Sequence, residues 1–94
     1  MSSIEMYMER AEELAQGVVN AWGVNMRAGN AAYLTDEFNA LLDKACRYRD
    51  AKRDSDTRRK LCILSELDAA QEDAACREFA EAYKAFWEKH QAAA

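Results

Sequence analysis

Residues 46–62 read CRYRDAKRDSDTRRKLC, and the fold depends on where this stretch bends. At its centre lies Asp54-Ser55-Asp56-Thr57. Short polar side chains of this kind compete for nearby backbone groups and so favour caps and turns. The run therefore predicts a helix that ends near residue 54 and another that begins near residue 57.

Upstream, Thr35 followed by Asp36 and Glu37 reads as an N-cap with an acidic first turn. Phe38, Leu41/Leu42, Ala45, Tyr48 and Ala51 recur at three- and four-residue steps, the period of a helix with one apolar face. This second helix spans about 36–54. Further back, Ser2-x-x-Glu5 fits a capping box. Ile4, Met8, Ala11, Leu14/Ala15, Val18 and Trp22 then mark a first helix over about 3–28, and Gly29-Asn30 stops it. Gly17 and Gly23 each weaken that helix by roughly 1 kcal/mol relative to Ala, which predicts close backbone contact or a local kink there. Downstream, Leu61/Leu64, Leu67, Gln71, Ala74/Ala75, Phe79, Ala82/Tyr83 and Phe86 form the stripe of a third helix over about 57–90. Ser65-x-x-Asp68 leaves open a break and restart within it.

The expected fold is all-α: a single helical domain over residues 1–94, built as a small antiparallel three-helix bundle or helical hairpin with a long C-terminal helix. The chain has no proline and three glycines, and strong helix formers dominate it. Its core is thin. Of its apolar residues 19 are Ala, while Leu, Ile, Val and Phe together number 15. Ala stripes bury little area each, so the bundle gains from packing against a second copy or a partner, and a homodimer is expected. Antiparallel packing brings Trp22, Met26, Tyr33, Phe38, Phe79, Tyr83, Phe86 and Trp87 to one end. Phe86 and Trp87 point about 100° apart, so one helix of a small bundle cannot bury both. A third helix of about 33 residues would outrun a second of about 19, leaving apolar surface overhanging. Met1, Met6, Tyr7 and Met8 offer a softer surface at the other end.

Net charge is −4, but residues 44–60 carry +5 between arms of −5 and −4. Arg47, Arg49, Lys52 and Arg53 would suit the C-terminal dipole of the second helix and face Glu5, Glu9 and Glu12. Arg58, Arg59 and Lys60, if they open the third helix, oppose its dipole, a local rule broken without full compensation. Nucleic acid is not the expected partner: the pI is near 5.0, and Tyr48 alone interleaves the cations, so no stacking platform exists. Seventeen carboxylates offset by 13 bases are too mild for a nucleic-acid mimic.

No catalytic pattern is present, and no enzyme is expected. His90 is the single histidine, at a frayed helix end, and no Ser or Cys has an evident base partner. No cofactor or metal is expected, since Cys46, Cys62 and Cys76 lack paired ligand spacing. They read as buried free thiols, although Cys46 and Cys62 would stand at similar heights across the turn, where a disulfide is conceivable. No run is long and apolar enough to cross a membrane. The N-terminal MSSIEMYMERAEE is acidic, unlike a signal or transit peptide, so the expected location is the cytoplasm.

In size, acidity and helix content the chain resembles the small accessory proteins of bacteriophages and mobile elements, among them anti-CRISPR proteins and inhibitors of host regulators or motor ATPases. No motif carries that resemblance to single residues. It implies an inhibitor that occupies the surface of a host protein, in the host cytoplasm. The leading expectation is thus a protein–protein interaction module. Trp22, Phe79, Tyr83, Phe86 and Trp87 would anchor the partner, and Arg47, Arg49, Arg53, Arg58, Arg59 and Lys60 would steer an acidic partner surface. The alternatives are a small nucleic-acid-associated regulator using the 44–60 tip and a structural homo-oligomer.

Overall fold

The structure, a computed structural model, describes residues 4–29 and 35–92, the side chains of residues 90–92 excepted. Four helices make up the described chain: α1 (Ile4–Glu9), α2 (Ala11–Ala28), α3 (Asp36–Lys60) and α4 (Glu66–Ala92). The all-α bundle follows the expectation, with helices that differ from it in two places. The Ser2 cap, Met1, Asn30, Tyr33 and the His90 side chain lie outside the described residues.

The first difference is a bend. The expected first helix breaks at Arg10 (φ −103, ψ 11) instead of running unbroken to residue 28. One apolar stripe here serves two targets. Its first part lies on α4, where the Tyr7 ring meets Tyr83 at 5.8 Å and the Cys76 thiol donates to the Met8 carbonyl at 3.6 Å. Its second part, Ala11, Ala15 and Val18, is buried with the α3 residues Phe38, Leu41, Ala45 and Tyr48. The break at Arg10 separates these two parts. Gly17 and Gly23, where contact or a kink was expected, show neither: a Cβ at Gly17 meets nothing within 4 Å, and one at Gly23 meets only the Arg27 side chain at 4.0 Å.

The second difference is the turn. α3 continues six residues past Asp54, so the helix boundaries expected at 54 and 57 are corrected to 60 and 66. The core stripe of α3 extends past Tyr48 through Lys52, whose side chain is 26 % exposed, to Ser55, which is 2 % exposed. Acidic and basic side chains at helical spacing stitch the same segment: Asp50–Arg53 at 2.7 Å, Lys52–Asp56 at 3.7 Å and Asp56–Arg59 at 2.8 Å. The actual turn is Leu61–Ser65. The Cys62 N–H donates to the Arg59 carbonyl and the Ile63 N–H to the Arg58 carbonyl, the paired bonds of a Schellman ending. Its left-handed position, usually glycine, is Cys62 (φ 59). With 25 and 27 residues, α3 and α4 are nearly equal in length, and the expected overhang of the last helix is absent.

Both long helices begin with the caps the sequence suggests. The Thr35 hydroxyl accepts from the Phe38 N–H at 3.1 Å. Ser65 and Asp68 cap one another: the Asp68 N–H donates to Ser65 Oγ at 3.1 Å and the Ser65 N–H to Asp68 Oδ2 at 3.2 Å. The Ser65 backbone and hydroxyl donors, with help from Arg58, hold the Asp68 carboxyl below the usual carboxylate range. Because that pKa is depressed in the folded state, the box contributes fully above about pH 4 and is lost as pH falls through the folded value. Ser65→Ala is expected to cost about 1 kcal/mol in urea unfolding at pH 7. The variant should also show a somewhat flatter loss of stability on acidification than the parent, because the Ser65 N–H still donates to Asp68; a parallel loss would mean that the hydroxyl adds nothing to the pH dependence and the backbone donor carries it.

The core holds Ala11, Ala15, Ala45 and Ala80 with no exposed surface, and Phe79 is the one large side chain among the described residues that is fully buried. The extents are 46 × 34 × 18 Å, so the molecule is a plate about two helix diameters thick. Its radius of gyration, 14.6 Å, exceeds the roughly 12 Å expected for a compact chain of this length.

Candidate functional site

The bend at Arg10 decides where surface is left open. α1 packs on α4, whereas α2 packs mainly on α3. Between α2 and α4 lies a groove of about 750 Å³. One wall is Leu14, Gly17, Val18 and Ala21 of α2, the end is Thr35, Phe38 and Leu41 at the start of α3, and the other wall is Tyr83, Phe86 and Trp87 of α4. Lys89 pairs with Glu37 and ties α4 to the start of α3. Among the described residues Glu13 is the single charged side chain of the lining, and Arg10 pairs with it at 3.5 Å.

Aromatic rings run along α4 into this groove. Phe79 stacks on Tyr48 (centroids 6.2 Å, planes 4° apart), meets Tyr83 at 5.8 Å, and Tyr83 meets Trp87 at 6.1 Å. Phe86 turns inward to Phe38 at 6.1 Å. Trp87 stays 43 % exposed, the split that their adjacent positions require. Tyr83 and Trp87 form a ridge, because a second, smaller recess of about 290 Å³ lies on their other side, bounded by Met6, Tyr7, Arg10 and Leu14. Of the five expected anchors, then, Tyr83, Phe86 and Trp87 share one surface. Phe79 has no exposed surface and belongs to the core, so its assignment as a surface anchor is corrected. Trp22 is 37 % exposed but does not line the groove.

The cations are dispersed. Arg47 pairs with Asp43 at 3.0 Å, Arg53 with Asp50 at 2.7 Å and Arg58 with Asp68 at 2.9 Å. Arg59 pairs with Asp56 at 2.8 Å and reaches Glu72 at 3.9 Å. Among the described residues Arg49 and Lys60 have no carboxylate within 4 Å, and both line a polar cleft also bounded by Glu9, Glu12 and Glu13. Lys52, not one of the expected site residues, bridges three helices through Glu12, Asp56 and Glu72 at 3.7–4.0 Å. At about 100° per residue, Arg47 and Arg58 leave α3 on a side roughly opposite to Arg49, Arg53 and Lys60. The six do not form one patch. Arg58, Arg59 and Lys60 close the last turn of α3, where the dipole favours cations. The apparent conflict with the dipole came from the misplaced turn.

Burial pushes the Tyr48 hydroxyl and the Cys76 thiol up, so both stay protonated at neutral pH. All three cysteines are free; Cys76 is buried and Cys46 half-buried, but Cys62 is exposed, a correction to the expectation of three buried thiols. Among the described residues no three His, Cys, Asp or Glu side chains come together as metal ligands, and no helix is long and apolar enough to cross a membrane.

Gly17 has no conformational or steric reason to be glycine within the chain, since it is helical and a methyl group there meets open space. Gly17→Ala is expected to raise the stability of the dilute chain by about 1 kcal/mol in urea unfolding, chiefly by restricting the unfolded state; no gain would mean that a side chain at position 17 meets a contact in the folded state. A scan against protein-family models, a search of curated proteins and a search of solved structures each return no match for this chain.

Proposed function

We propose that this protein is a protein–protein interaction module whose α2–α4 groove receives an apolar helical face. The observation that carries this reading is the groove itself, an apolar channel between two helices with Trp87 standing exposed on its edge. Helix-in-groove recognition needs such a channel, and Trp and Tyr at its edge are the usual hot-spot chemistry. The cations of α3 support the fold more than a contact, because five of the eight between Lys44 and Lys60 are already ion-paired. No observation favours the nucleic-acid reading. The likeness to phage accessory proteins that block a host protein rests on size, acidity and helicity, and the groove supplies the kind of surface such an action needs.

Affinity capture with the tagged chain at low and high salt, repeated with Trp87→Lys, tests the reading. One dominant polypeptide, which can be the untagged chain itself, is expected to survive high salt and to be lost with Trp87→Lys. Nucleic acid, or a scatter of acidic proteins released by salt, would overturn it and return the function to the cations of α3.

A further inference from the structure

We infer that the helical face received by the groove belongs to a second copy of this chain, packed face to face about a two-fold axis so that the Tyr83–Trp87 ridge of each copy lies in the hollow of the other. The inference rests on reading the groove as an interaction surface and names its occupant.

Area is the first argument. The chain exposes 6505 Å², whereas a folded monomer of 10.7 kDa exposes about 5,500 Å². The excess, about 1,000 Å² summed over the whole chain, is of the order that each partner buries in a standard interface, roughly 800 Å². Shape is the second. A two-fold contact must be complementary to itself, and this surface carries both halves of the match: a ridge of Tyr83 and Trp87 flanked by recesses on either side. Charge raises little obstacle, because among the described residues Glu13 is the one charged lining residue of the larger recess and Arg10 pairs with it at 3.5 Å.

Gly17 fits the same arrangement. It lies on the wall of the groove, and its missing side chain leaves room that nothing in its own chain fills. A ridge from a second copy would fill it. Exposed Leu61, Ile63 and Leu67 at the α3–α4 turn offer a rival apolar contact. Packing that turn into the groove of another copy joins unlike surfaces, however, and unless the rotation closes a ring such contacts propagate into filaments.

Sedimentation equilibrium of the full chain from about 1 to about 500 μM, with thermal melts over the same range, decides the matter. A closed dimer is expected, with a melting temperature that rises with concentration. Trp87→Ala should raise the dimer Kd about tenfold or more. Gly17→Lys should raise it at least as far while helicity at high concentration is kept, and Ile63→Lys should leave it within about twofold. A monomer at every concentration, growth beyond the dimer, or an association that follows Ile63 and ignores Trp87 and Gly17 would overturn the inference. A monomer that still captures a different polypeptide at high salt through Trp87 would overturn it while leaving the interaction-module reading intact.

Discussion

Phe79→Ala is expected to bring the chain to the edge of unfolding at room temperature. Phe79 is fully buried at the centre of the plate, stacked on Tyr48 and touching Tyr83. Truncating a buried Phe costs about 3–5 kcal/mol, the lost transfer energy plus the cavity left behind. A chain of this length has a total of about 5–14 kcal/mol to lose. This one belongs at the low end, because four of its fully buried residues are Ala and contribute little apolar area each. Far-UV circular dichroism in buffer and across a urea series measures the effect. Phe79→Leu, which keeps most of the volume, should remain folded. An alanine variant whose melting temperature falls by only a few degrees would show that the core closes over the gap, and that Phe79 is not its centre.

Ala45→Leu is expected to be nearly as damaging, for the opposite reason. Ala11, Ala15, Ala45 and Ala80 have no exposed surface, so α2, α3 and α4 approach closely where they are buried. Extra methylene groups there force strained rotamers or drive helices apart, at about 1–3 kcal/mol and occasionally more. Ala40→Leu, on the exposed side of α3, is the matched control and should change the urea midpoint little. Equal effects of the two would mean that the interhelical space at Ala45 is loose. Because α2 and α3 both border the groove, Ala45→Leu should also weaken any contact made there.

The antiparallel scheme and the caps at Thr35 and Ser65 are legible in the sequence because they depend on local chemistry and on period. So is the meeting of Phe38, Tyr83, Phe86 and Trp87 at one end, which follows from topology alone. The turn is harder to read because its letters mislead. Asp54-Ser55-Asp56-Thr57 has the composition of a loop, yet it lies in α3 with Ser55 turned into the core. The true turn holds Leu61, Cys62 and Ile63, apolar letters that stand in solvent, with a cysteine where glycine would have signalled a helix end. The better signal was the charge spacing: Asp43–Arg47, Asp50–Arg53, Lys52–Asp56 and Asp56–Arg59 all stand three or four residues apart, as an unbroken helix requires. The bend at Arg10 carries no glycine or proline and comes from packing on two different helices. The groove depends on that bend, so its residues could be listed from the sequence but not its opening. Phe79 failed as a surface anchor for the same reason: period places it on the aromatic face but does not say how deep.

A plate 18 Å thick also sets the temperature response of the chain. Heat capacity of unfolding follows the apolar area newly wetted, about 12–15 cal/mol/K per residue in ordinary domains. A chain that already wets much of its apolar surface while folded has less to gain, so its value falls below that range. Its stability curve is then low and wide, with weak dependence on both temperature and urea. A broad, gradual melt of the isolated chain is therefore a property of its shape, and the sharpness of that transition reports how much of the open face has been covered.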